Sequence, residues 1–292
     1  MRFSHFALTL ATALLTGFGC MQLEVIASAP QPIPKELSDT ITAMDRAASQ
    51  QQLDSVLNFY SDNFSHSDGL TREQLRQQLQ EFWKRYPQLQ YNSRIVKLEV
   101  SGDRYTAETV TEITGKDNDR ENPSQLKAKV ISRQVYLRSG NSFRMISQEI
   151  ISERSSLLTG AKPPQVNLKL PEIIGVGRQF ALDAIVVEPL GFSMLLGGVI
   201  DEPVNPKNYL QVNTIRLQPL RAGGLFRVGQ APFSPGDRWI SVVLVREDGM
   251  TVTTQRLRVS RDQVGNQYTP LPNLPFTPSR IRPAPNNQPP SS

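Results

Sequence analysis

Residues Leu53–Pro87 read LDSVLNFYSDNFSHSDGLTREQLRQQLQEFWKRYP, and the fold turns on how this stretch is divided. Leu53, Val56, Leu57 and Tyr60 share one face at helical spacing, so a short helix opens the stretch. Ser61-Asp62-Asn63 is local turn chemistry. Phe64–Gly69, which holds His66, reads as a short strand or loop closed by Asp68-Gly69. Thr71 followed three positions on by Gln74 is a capping box and starts a longer helix. Leu75, Leu79, Phe82 and Tyr86 form its apolar stripe, and Pro87 stops it.

Upstream, Leu37, Ile41, Met44 and Ala48 place an amphipathic helix over Glu36–Ser49. Downstream, four strands are expected: Gln90–Val100, Arg104–Thr114, Leu126–Arg138 and Ser142–Glu153. Ser101-Gly102-Asp103, the polar loop Gly115–Ser124 and Ser139-Gly140-Asn141 separate them. Three helices followed by an antiparallel meander predict an α+β domain over 36–155, with helices on one face of a curved sheet.

Residues 1–20 read as an export signal: Arg2, then the 14-residue apolar run Phe6–Gly19, then Cys20. Cys20 after Gly19 suits lipidation, although Gly17-Phe18 departs from the usual lipobox. Cleavage near Ala27–Ala29 is the competing expectation. Either way the chain is expected outside the cytoplasm, and with a lipid on Cys20 it would meet the membrane only through that anchor. Residues 21–35 form a proline-containing tether, and 156–165, with Gly160 and Pro163-Pro164, a linker. Residues 166–260 show about seven short apolar or alternating runs split by turn signals, the clearest being Glu247-Asp248-Gly249. This predicts an all-β immunoglobulin-like sandwich. Residues 261–292 hold eight prolines between Pro270 and Pro290 and read as a disordered tail.

Composition excludes several chemistries. The net charge is +5, but residues 36–155 carry 16 Lys/Arg against 17 Asp/Glu, and 163–260 carry 10 against 8. No basic stripe exists for nucleic acid. One cysteine precludes an internal disulfide, and beyond Cys20 the sole histidine is His66. Neither a two-histidine metal site nor a cysteine-based one can be built. Gly175-Val176-Gly177 lacks the context of a phosphate loop, and no serine has the surroundings of a nucleophile. No cofactor is expected.

The helix order, the turn Tyr60-Ser61-Asp62-Asn63-Phe64, the Asp68-Gly69 loop, the capped helix and the ending Phe143-Arg144-Met145-Ile146 together resemble the nuclear transport factor 2-like superfamily, the SnoaL and ketosteroid isomerase group. The resemblance covers about residues 36–155. It implies a cone of three N-terminal helices on a bent sheet, with an open pocket and, in many members, pairing into homodimers. It places an acid or base near His66 and makes Tyr60, His66, Glu112, Arg133 and Gln148 pocket candidates. His66 is equally readable as a structural histidine and Tyr60 as a core tyrosine. Two functions follow: a non-catalytic binding or scaffold module for an envelope protein or small hydrophobic ligand, or an isomerase, dehydratase or hydrolase using His66.

Overall fold

The computed structural model describes residues 32–117, 123–189, 194–209, 214–220 and 223–261. The expected export signal, Cys20 and the proline-rich tail lie outside them. Helix α1 spans Lys35–Ser49 and buries Leu37, Ile41 and Ala48 along one face, as its spacing requires. Helix α2 is one turn, Leu53–Leu57. Strand β1 follows at Tyr60–His66, then α3 at Arg72–Arg85. The capping box of α3 is formed. Gln74 N donates to Thr71 Oγ1 at 3.2 Å, and Thr71 N donates to Gln74 Oε1 at 3.0 Å. The helix ends at Arg85, two residues before Pro87, whose ring disfavours helical geometry at Tyr86. Trp83 is the fully buried residue of α3, with Leu75, Leu79 and Phe82 partly buried around it.

Strands β2 (Gln88–Ser101), β3 (Arg104–Lys116), β4 (Ser124–Ser139) and β5 (Ser142–Gly160) form the meander. Gly102 and Gly140 turn it with φ near +60°, a conformation open to glycine at no steric cost. β1 pairs in parallel with the first half of β5, setting His66 opposite Gln148. Eight further strands follow: β6 (Val166–Lys169), β7 (Ile173–Gly175), β8 (Gln179–Val186), β9 (Leu195–Pro203), β10 (Gln218–Leu220), β11 (Gly224–Gln230), β12 (Gly236–Arg246) and β13 (Gly249–Ser260).

The pairing corrects the expected fold class. A three-helix α+β cone followed by an immunoglobulin-like sandwich does not describe this chain. Strand accounts for 59% of the described residues and helix for 16%, and one large antiparallel sheet dominates. Its order is β10-β9-β12-β13-β5-β4-β3-β2, so the meander and the later hairpins are one surface. The join is β5. Residues 156–160, expected to begin a linker, remain strand, because β13 takes their backbone bonds from Arg154↔Gln255 to Gly160↔Gly249. Gly160 (φ +93°) ends the strand where a Cβ would lie 2.8 Å from Asp248 O.

Two cores flank this sheet. In the first, α1, α2 and α3 cover Tyr60, Phe64, Leu89, Tyr105, Tyr136, Phe143 and Met145, with Trp83 and Tyr86 closing the interior. In the second, a three-stranded sheet, β11-β8-β6, packs Leu168, Phe180, Leu182 and Leu225 against Ile240, Val242, Leu244 and Leu257. No helix among the described residues is long and apolar enough to cross a membrane.

Candidate functional site

The strongest concentration of buried charge lies where β1 and β5 meet β12 and β13. Gly69, at φ +80°, reverses the chain after β1 and donates its N–H to His66 O at 2.9 Å. That turn aims Asp68 at Arg256 of β13. Arg256 stands opposite Trp239 of β12 and is almost wholly enclosed.

Arg256 Nη1 donates to Asp68 Oδ1 at 3.0 Å and to Asp237 Oδ2 at 2.9 Å. Nη2 donates to Asp68 Oδ2 at 2.8 Å and to Glu153 Oε2 at 3.0 Å, and Nε reaches Glu153 Oε2 at 3.2 Å. A guanidinium has five N–H donors, so all of them are engaged. Trp239 Nε1 donates to Glu153 Oε2 at 3.1 Å, and its ring centroid lies 5.9 Å from the guanidinium carbon. The Tyr209 hydroxyl donates to Asp68 Oδ2, and its ring meets Trp239 edge-on at 4.9 Å. Arg258 extends the array, 3.5 Å from Asp237 and 3.4 Å from Glu149, which also pairs with Arg133 at 2.7 Å.

Each charge state follows from these contacts. Burial alone would push the Asp68 carboxyl up; the bonds and charge of Arg256, with Tyr209 assisting, outweigh it and hold Asp68 below the usual carboxylate range. Burial likewise opposes the Arg256 charge, but Asp68 and Glu153 fix the proton more firmly than water does. Burial and then the Asp68 charge push the Tyr209 hydroxyl up, keeping it a donor. His66 is lowered, chiefly by burial, which outweighs the pull of Asp68. Its Nδ1 accepts the Asp68 N–H at 3.1 Å, which assigns the neutral ring with its proton on Nε2. The positive charge that the converging carboxylates need is Arg256 itself. Among the described residues no group of three or more His, Cys, Asp or Glu is placed to hold a metal ion.

The five sequence candidates do not converge on one pocket. Tyr60 is a core residue, edge-on to Phe64 at 4.8 Å, and burial pushes its hydroxyl strongly up. His66 and Gln148 are register partners, and Gln148 Nε2 lies 3.5 Å from Ser132 Oγ. Glu112 is exposed on β3, opposite Asn92 and Lys129. Arg133 lines a shallow depression of about 160 Å³ with Lys97, Glu99, Thr106 and Glu108. Arg256, Glu153, Asp237, Trp239 and Tyr209 were missed from the sequence. The available signal was a pair of charges, Arg256 and Arg258, inside the strand Thr251–Val259.

A family model described as "Domain of unknown function (DUF8623)" matches residues 161–260. No curated relative matches the chain. Solved structures similar to it include Bd1075 of Bdellovibrio bacteriovorus, at 15% identity and TM-score 0.34 over 39% of this chain and 38% of that one. This chain thus spans well under two thirds of Bd1075. A protein described as a scytalone dehydratase from Novosphingobium aromaticivorans is similar at 8% identity and TM-score 0.35, over 39% of this chain and 80% of that one. A protein described as a dehydratase of the nuclear transport factor 2-like family, from Streptomyces avermitilis, is similar at 12% identity and TM-score 0.34, over 39% and 92%. Likeness at this level assigns no ligand and no reaction to the present chain.

Proposed function

We propose that this chain is an exported envelope protein, held by a lipid on Cys20, that acts as a non-catalytic binding or scaffold module, alone or as a pair of copies. One observation carries the non-catalytic part of the reading. The single histidine beyond residue 20 is seated in a saturated clamp, its Nδ1 occupied by the Asp68 N–H and the neighbouring Arg256 bonded through every donor. A group held in this way joins elements of the fold. The alternative, an isomerase, dehydratase or hydrolase using His66, calls for an open apolar cavity beside that ring. Phe64, Trp83, Tyr86 and Tyr136 fill the interior instead, and the His66 side chain is 6% exposed. The lipid anchor rests on the position of Cys20 at the end of the apolar run.

The test has two arms. Mass spectrometry of the mature N-terminus should find an acylated Cys20, and Cys20→Ala should move the chain from the membrane to the soluble fraction. A free N-terminus at Ser28 overturns the anchor. A molecule that co-purifies with the native chain should be recovered with its mass unchanged after incubation. A mass change that disappears in His66→Gln overturns the non-catalytic reading.

A further inference from the structure

An open groove of about 650 Å³ lies on the outer face of the large sheet, lined by Ser61, Asp62, Asn63 and Ser65 of β1, Arg104 of β3, Leu137 of β4, and Arg144, Ile146 and Ser147 of β5. Its placement follows from the register. Arg104 is opposite Leu137, and Leu137 is opposite Arg144, so all three share one face. That face is turned away from the core, because the neighbours Tyr105, Tyr136, Phe143 and Met145 are buried on the other side. At ordinary strand spacing the two arginines stand about 10 Å apart across Leu137, within reach of a ligand lying on it. Leu137 is 45% exposed, an apolar floor between two cations.

Two observations bear on what this groove could hold. First, the charges are uncompensated. Among the described residues, Lys97, Arg133, Arg238, Arg246, Arg256 and Arg258 on the same sheet meet a carboxylate, whereas Arg94, Lys116 and Lys129 do not. Among the described residues no carboxylate forms an ion pair with Arg104 or Arg144; the lining carboxylate Asp62 is largely exposed and lies 3.8 Å from Arg72. Second, Ser61 Oγ is buried without a hydrogen-bond partner. Leaving a buried hydroxyl without a partner is unfavourable, and here it lies in the wall of the groove.

We propose that this groove binds a small organic oxyanion, a carboxylate or a phosphate monoester, with Arg104 and Arg144 on the anionic group and its apolar body on Leu137 and Ile146. Arginine is suited to the task because its planar fork meets such oxygens in pairs. The proposal gives the binding-module reading a site and a ligand chemistry, and rests on it. Attachment through Cys20 is tested separately, so a failure here leaves that result standing.

Isothermal titration of the full chain with 3-phenylpropionate, phenyl phosphate and the neutral 3-phenylpropionamide tests it. The two anions should bind saturably, and the one that binds tighter identifies the headgroup. The amide should bind about tenfold more weakly or not at all. Arg104→Gln and Arg144→Gln should each weaken the anion about tenfold, while Lys97→Gln, outside the groove, should change nothing. Arg104→Lys keeps the charge and loses the fork. It should weaken binding less than Arg104→Gln, and it serves if the Gln variants fail to fold. Equal binding of amide and anion, no saturable heat from either anion, or full binding by the Arg104 and Arg144 variants would overturn the proposal.

Discussion

Replacing Arg256 by Met keeps an unbranched stem and removes the charge and five hydrogen bonds at once. Asp68, whose side chain is 4% exposed, then keeps only Ser67 Oγ at 3.1 Å and the Tyr209 hydroxyl as side-chain donors. Breaking a buried pair from one side costs about 3–5 kcal/mol, because the remaining charge is left uncompensated. Arg256→Met should therefore lower the unfolding free energy by that amount, read as a lower urea midpoint with an unchanged slope. Asp68→Asn leaves Arg256 with Glu153 and Asp237 and should cost less, about 1–3 kcal/mol. The double variant should be more stable than the two losses added together, with a coupling of about 1–3 kcal/mol. The pH dependence is independent of these magnitudes. In the native chain Asp68 is depressed, so its contribution is full above the unfolded carboxylate value and is lost as pH falls through the folded value. Without Arg256, burial outweighs the remaining Tyr209 bond and raises Asp68, so the variant gains relative to the native chain on acidification. The gap between them should narrow from pH 7 to about pH 4. A loss under about 1 kcal/mol, the value of an exposed pair, or a gap that widens on acidification, refutes the buried-clamp reading.

Three further outcomes follow from the geometry. His66 is lowered by burial, so its folded state favours the neutral ring. Stability should fall as pH drops below about 6.5, and His66→Gln should flatten that part of the curve, measured by urea unfolding between neutral and mildly acidic pH. Thr71→Ala removes half of the capping box and should cost about 1 kcal/mol in thermal unfolding. Gly160→Ala meets both a positive φ and the Asp248 carbonyl at 2.8 Å, and should cost about 1–3 kcal/mol in the same assay, with fraying of the β5–β13 ladder seen by amide exchange.

The local features of the chain were legible because their causes are local. The Thr71–Gln74 box, the stop at Pro87, the two glycine turns of the meander and the Glu247-Asp248-Gly249 hairpin each depend on residues within a few positions. The continuous sheet was not legible. Ser156-Leu157-Leu158-Thr159-Gly160 looks like a linker until Gly249–Thr253, about 100 residues away, supply its hydrogen bonds. The clamp was hidden for the same reason. Alternation along β13 sends Arg256 away from Gln255 and Leu257, which ordinarily means into water; here that direction is covered by Asp68, Glu153 and Trp239. His66 stood out as the sole histidine beyond Cys20, but its surroundings depend on partners that no spacing rule connects to it. Glu112, Arg133 and Gln148 were placed on the right strands, whereas Tyr60, assigned to the short helix by its spacing, opens β1 instead; the parity that decides which way each points came only from the register.

The account stands on β5 and β13 fusing the two cores into one cooperative body around Arg256. Two tryptophans serve as its reporters: Trp83 lies in the first core, and Trp239 lies beside the clamp. Urea unfolding of the single-tryptophan variants Trp239→Phe and Trp83→Phe, each followed by fluorescence and by circular dichroism, tests the claim. Within each variant the two signals should give one coincident transition with the same midpoint and slope. If the fluorescence of Trp83 and that of Trp239 report transitions separated from the loss of strand signal, the two cores unfold independently and the claim of one body is wrong.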